Sequence, residues 1–301
     1  MSVMVGAQNA YAAPDCATAG IRESLKNNEM YVGDADGKLH KVDTNDATTC
    51  SLGTMKDTVT DAIVRCTDVA LLAVPGPDPL YCITFSDLYL IDRDTVDATF
   101  IGNLMDGIVN VIDMNAFEID FGGIAYAAAI SGNFYTVDLT DGSLDFKDDL
   151  GHPSAGDLAY DVRSAKMYWT STHCPACVPA RNGLWVIDLV LFTATFVDTT
   201  TLNNVFAADF IPVDSNLHFV NLAGRLLEME KDGDPIGLTM TTSPLVKAWG
   251  GTGNQILVGG MKVAIDTASL LLGGIYTSPV WLTPGVLGVI ALVAFKLNKK
   301  N

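Results

Sequence analysis

The chain has 301 residues, 35 acidic against 18 basic, for a formal charge of −17, and is 49% apolar but only 18% charged. That composition is neither disordered nor fibrous. It also excludes nucleic-acid binding through a basic surface, which needs clustered Lys and Arg; the acidic balance favours basic protein partners or serves solubility alone.

Residues 1–17 read as an N-terminal arm or the remnant of a signal segment. Ala10-Tyr11-Ala12 fits a small-residue cleavage pattern, but Met1 to Gln8 lacks a basic start and has too short an apolar stretch for a whole signal.

Residues 18–274 carry short alternating apolar runs separated by Asp, Gly, Asn and Thr, the pattern of many short strands. A run ending in an acidic residue recurs six times, at Leu39 to Asp43, Leu88 to Asp92, Phe134 to Asp138, Leu184 to Asp188, Leu226 to Glu230 and Lys262 to Asp266, with spacings of 49, 46, 50, 42 and 36. About ten residues before each lies a second run, Met30-Tyr31-Val32, Leu80-Tyr81-Cys82, Ala125-Tyr126-Ala127, Met167-Tyr168-Trp169, Leu217-His218-Phe219 and Ile256-Leu257-Val258, whose middle residue is aromatic in five of six copies. Gly37, Gly132 and Gly224 stand where a tight turn between the two needs positive φ. Further upstream a third strand is expected at Asp68-Val69-Ala70, Asn115-Ala116-Phe117, Asp157-Leu158-Ala159, Ala207-Ala208-Asp209 and Val246-Lys247-Ala248, and a fourth follows, as at Thr99-Phe100-Ile101 and Thr195-Phe196-Val197. Four strands per unit at this period predict an all-β, six-bladed β-propeller. A β-sandwich or stacked-sheet solenoid is the alternative.

In the fourth unit, Asp157-Leu158-Ala159-Tyr160-Asp161 leads to Lys166-Met167-Tyr168-Trp169-Thr170. This resembles the YWTD, NHL and related six-bladed propellers, with Ser171 where the motif has Asp. The resemblance implies a binding platform, although some relatives are hydrolases with a metal in the central channel. For that lactonase-like alternative, Asp68, Asp157 and Asp209 are the visible candidates, and carboxylates recurring at similar blade positions are also commonly structural.

Unit four carries an insertion, Ser171 to Arg181, containing His173-Cys174-Pro175-Ala176-Cys177. A local Cys174–Cys177 disulfide is the favoured reading, ahead of a zinc pair with His173, which lacks two further ligands, or a redox motif, which lacks its helix. Haem attachment needs the histidine after the second cysteine. Cys16, Cys50, Cys66 and Cys82 allow three pairings that would tie the arm to the first blades. Asp34-Ala35-Asp36-Gly37, Asp148-Asp149 and Asp232-Gly233-Asp234 suit hairpin turns better than calcium loops. There is no nucleophile elbow, His-Glu-x-x-His or phosphate loop, and Gly250-Gly251-Thr252-Gly253 is placed between strands. His40 and His218 sit at strand positions, His152 and His173 are scattered, and Tyr31, Tyr81, Tyr126 and Tyr168 are expected in blade cores. No metal or cofactor is expected.

After a linker at 275–283, no charged residue interrupts Thr267 to Phe295. The 19 residues from Pro279 to Leu297 are close to the ~20 that cross a bilayer as a helix, with the helical core at 284–297. Pro284 suits a first helical position, and Trp281 and Phe295 would lie near the interfaces. The basic tail, 298–301, with Lys296, Lys299 and Lys300 places the C-terminus in the cytoplasm by the positive-inside rule and the propeller in the periplasm or outside the cell. A tail-anchored chain with a cytosolic propeller is the alternative. The expected function is a membrane-anchored, extracytoplasmic recognition or scaffold subunit with protein partners in or at the membrane, as in an envelope assembly, a viral spike or a bioenergetic complex.

Overall fold

Every regular element in the part of the chain that the structure describes is a strand, as the alternation predicts. The computed structural model describes residues 25–253 except 27, 74–77, 173–182, 200–204, 211–215, 222–224, 231–239 and 242–247.

The chain opens with β1 (Glu29–Asp34), β2 (Lys38–Asp43) and β3 (Thr49–Thr54). A short β4 (Lys56–Asp57) precedes β5 (Asp68–Leu71), β6 (Leu80–Ile83), β7 (Asp87–Ile91) and β8 (Asp97–Asn103). A small hairpin, β9 (Met105–Asp106) and β10 (Val109–Asn110), then leads to β11 (Met114–Ile119), β12 (Ala125–Ala129), β13 (Asn133–Val137) and β14 (Ser143–Asp149). Next come β15 (Ser154–Asp161), β16 (Lys166–Ser171), β17 (Gly183–Asp188) and β18 (Thr193–Thr199). The last are β19 (Val205–Phe210), β20 (Leu217–Asn221), β21 (Arg225–Met229), β22 (Met240–Thr241) and β23 (Ala248–Gly253).

In four units the acid that ends the recurring run has a local cause. Asp43, Asp92, Asp138 and Asp188 each accept, through Oδ1, a backbone N–H two residues on, at 2.8–2.9 Å. In each turn the fourth residue after the acid donates its N–H to the acid's carbonyl, from Ala47, Val96, Gly142 and Phe192, at 2.7–2.9 Å. Those four residues share a left-handed backbone, with φ of 59°, 67°, 81° and 53°. The side-chain bond mimics a backbone turn and reverses the chain toward the outer strand. The turns between the first two runs of units one and three use Gly37 and Gly132, at φ 81° and 102°.

The strands form five sheets, not six. Four are consecutive in the chain: β5 to β8 with β4 on the outer edge, β11 to β14 with β9 and β10 outermost, β15 to β18, and β19 to β22. The fifth is composite, in the order β23-β1-β2-β3, with Tyr31 opposite Thr252 and Met30 opposite Gly253. Among the described residues no strand precedes β1, and the edge of β1 away from β2 is open to a strand from elsewhere in the chain. Of the run Val246-Lys247-Ala248 expected in a sixth blade, Ala248 is described, and it begins β23, which pairs with that edge instead. Gly250-Gly251-Thr252-Gly253 is therefore strand rather than connection. The runs Ile256-Leu257-Val258 and Lys262 to Asp266 lie outside the described residues.

The inner strands β23, β5, β11, β15 and β19 pack side by side, with β19 against β23, so the ring is closed. The core lies between blades. One cluster joins Tyr31 and Leu39 to Val69 and Leu80, a second joins Ile83 and Leu88 to Phe117 and Tyr135, and a third joins Phe134 to Trp169 and Trp185. A fourth packs Tyr168 and Leu184 on Phe210 and Phe219, and a fifth packs Ala207 and Val220 on Met30 and Val32. Each fully buried large apolar side chain contributes about 1.5–3 kcal/mol, and only closure gives all five blades two covered faces.

Candidate functional site

The axis of the ring is where a channel-mouth enzyme would work. Asp68, Asp157 and Asp209 do converge there, but in two tiers. Asp68 and Asp157 lie opposite Ile83 and Thr170 of the adjacent strands. Asp209 lies opposite His218, in the register that Glu118 takes opposite Tyr126 and Thr252 opposite Tyr31. In the first tier the corresponding residues of the other blades are Ala116, Ala207 and Gly250, small enough to leave room for two carboxyls.

All three aspartates are fully buried, as are Glu118 and Thr252. Their oxygens clasp neighbouring blades. Asp68 accepts the N–H of Phe117 on β11 at 2.7 Å, of Gly251 on β23 at 3.2 Å and of its own neighbour Val69 at 2.7 Å. Asp157 accepts the N–H of Ala208 on β19. Asp209 accepts the N–H of Gly253 on β23, the Thr252 hydroxyl at 3.3 Å and its neighbour Phe210's N–H at 2.6 Å. The remaining junction, β11 to β15, is bridged by the Asn115 amide donating to the Ser154 carbonyl at 3.3 Å. Close approach is permitted by glycine: a Cβ on Gly250 would lie 2.2 Å from Asp68 Cα.

Burial pushes these carboxyls toward the neutral form. It raises Asp157 well above the usual range, helped by the charge of Asp68, and raises Asp209 to about 7 against the donors it accepts. Asp68 is also raised well above the usual range by burial, opposed by the N–H groups of Phe117, Val69 and Gly251 and by its hydrogen bond with Asp157. Among the described residues no group of three His, Cys, Asp or Glu is arranged to hold a metal.

One end of the axis is different. Where β23, β5 and β11 begin, Thr67, Phe85, Asn115, Ile130 and Trp249 line a cavity of about 220 Å³. Phe85 meets Trp249 edge to face at 6.0 Å. The loops are locked to one another: Met114 N donates to Phe85 O at 3.1 Å and Ile130 N to Asp113 O at 2.8 Å. Ile112, next to Asp113, is exposed, as are Ile108 and Val109 of the β9–β10 hairpin at the outer edge of the blade. No sequence motif marks this pocket, because its residues come from three blades.

Cys66 and Cys82 form a disulfide across β5 and β6, and Cys50 is also disulfide-bonded. Cys16, Cys174, Cys177, His173, Gly224, Asp232 and Asp234 lie outside the described residues, as do Trp281, Pro284, Phe295, Lys296, Lys299, Lys300 and the whole expected membrane span. His40 and His218 are buried; His40 Nε2 bonds Asp34 Oδ2 at 2.9 Å. Burial opposes ionisation of Asp34, but His40 and the N–H of Lys38 outweigh it and hold the carboxyl below its ordinary value. Gly37 N closes the turn on Asp34 O at 2.9 Å, so this acidic cluster is a hairpin turn, as expected. His152 packs at a tilt against Trp185, with ring centroids 4.3 Å apart. Tyr31, Tyr126 and Tyr168 are buried between blades, and Tyr81 is half-buried.

No family model matches the chain, and no curated protein does. Among solved structures, a chain of a nidogen/laminin complex is 11% identical, covering 74% of this chain and 97% of that one, with a TM-score of 0.49. A structural-genomics protein of unknown function from Bacteroides thetaiotaomicron is 12% identical, covering 75% of this chain and 61% of that one, also at 0.49. One from Bacteroides caccae, likewise of unknown function, is 11% identical over 72% and 74%, at 0.40.

Proposed function

We propose that this propeller is a recognition or scaffold subunit of a larger membrane or surface complex, displayed outside the cytosol and held by its apolar C-terminal segment. The observation that carries the reading is the fate of the axial aspartates. They are the candidates a channel-mouth hydrolase would use, and all three are buried and engaged in holding one blade to the next. Their oxygens face backbone N–H groups, which suits closure of a ring rather than capture of a cation. A face with an aromatic pocket and exposed aliphatic side chains offers a contact surface instead. The net charge of −17 favours a basic partner.

Cross-linking of the full chain in its native membranes, followed by purification and metal analysis, tests this. Stoichiometric protein partners without a bound divalent ion are expected. A stoichiometric metal with esterase activity would overturn the reading in favour of the hydrolase. Protease added to intact cells should digest the propeller and spare the lysine tail; full protection would favour the tail-anchored arrangement.

A further inference from the structure

We propose that the pocket between Phe85 and Trp249 receives one arginine side chain of a protein partner, presented on a segment that also carries aliphatic residues. The inference rests on the recognition reading above and names its site and its chemistry.

Size is the first argument. About 220 Å³ falls below the ~300–1,000 Å³ of pockets that enclose small-molecule ligands, and suits a single long side chain. The walls are the second. Phe85 and Trp249 offer aromatic surface, and Ile130 and the Thr67 methyl group continue it. A long methylene stem can lie along such walls while its cation meets ring faces or leaves toward the rim.

The rim decides the charge. Asp87 accepts the hydroxyls of Ser86 at 2.8 Å and Thr84 at 3.1 Å, the two residues on either side of Phe85. Asn103 donates to its other oxygen at 2.6 Å. Asp113 is half-buried and accepts the N–H of Ser131, next to Ile130, at 3.3 Å through Oδ2. Neither carboxylate takes part in any of the ion pairs among the described residues. An aromatic slot beside two such carboxylates selects a cation with an apolar stem. Arginine fits better than lysine because its guanidinium is planar, stacks on rings and is less strongly hydrated.

An apolar side chain next to the rim explains the rest of the segment. Ile112, adjacent to Asp113, is 70% exposed. An aliphatic residue flanking the arginine would cover it.

The test uses the full chain in detergent and a fluorescent hexapeptide with a central Arg flanked by Leu, against the same peptide with citrulline, its uncharged isostere. Binding of the Arg peptide should weaken with salt, and citrulline should cost about tenfold or more, as should Phe85→Ala or Asp113→Asn, with far-UV circular dichroism unchanged. Equal binding of both peptides, or indifference to both substitutions, would overturn the proposal. Cross-linking in native membranes separates the two levels of inference. A partner captured equally by wild type and Phe85→Ala sinks the arginine slot while leaving recognition standing. Failure to capture any partner, together with no peptide binding, sinks both.

Discussion

Asp209 offers the sharpest test of the axial clasp, because its ionisation and its hydrogen bonds pull in opposite directions. In the folded chain burial raises it to about 7 from an ordinary 3.8. Between those values the folded state holds a proton that the unfolded chain has released. Its contribution to stability is therefore complete below about pH 4, falls as pH rises and levels off above about pH 7. At ~1.4 kcal/mol per unit, the loss across that interval is about 4 kcal/mol. Asp68 and Asp157 are raised too and act in the same direction. Asp209→Asn removes the titration but has its own cost. The two carboxyl oxygens accept N–H groups from Phe210 and Gly253, and an amide can accept at only one of them. The orphaned donor costs about 1–3 kcal/mol. The variant should therefore be less stable than wild type at about pH 4 and below, and equal or more stable near pH 8. Urea titrations followed by tryptophan fluorescence across that range measure both. Wild-type stability that is flat or rises with pH, or a variant that follows pH as steeply as wild type, would refute the reasoning.

Gly250→Ala would place a Cβ 2.2 Å from the Asp68 backbone. It should cost at least about 3 kcal/mol in urea titration, against about 1 kcal/mol for Gly107→Ala, where positive φ is strained but the space is open. Replacing both Cys66 and Cys82 by Ser opens a loop of sequence separation 16 and should lower stability by about 3 kcal/mol; reductant should lower the wild-type melting temperature toward that of the double variant. Non-reducing peptide mapping should recover a Cys66–Cys82 peptide and a separate Cys174–Cys177 peptide, and two free thiols or a bound zinc at the second pair would discard the local bridge.

The sequence by itself determined the strands and the unit. Alternation of apolar and polar residues has a period that only a strand matches, and the acid closing each third strand, Asp43, Asp92, Asp138 and Asp188, acts within its own turn. Both signals are complete within a few residues, so they survive without knowledge of the rest of the chain. The number of blades was decided elsewhere. Six copies of a local pattern suggested six blades, yet β23 pairs with β1 across most of the chain, and the closed ring has five. Which strand fills the open edge of the first unit depends on where the two ends of the ring meet, a non-local quantity that no window of sequence contains. The axial tiers and the pocket share that origin. Asp68 opens its run and Asp209 closes its own, but only strand register turns that offset into different depths on the axis, and Phe85, Ile130 and Trp249 become neighbours only because closure brings three blades to one mouth.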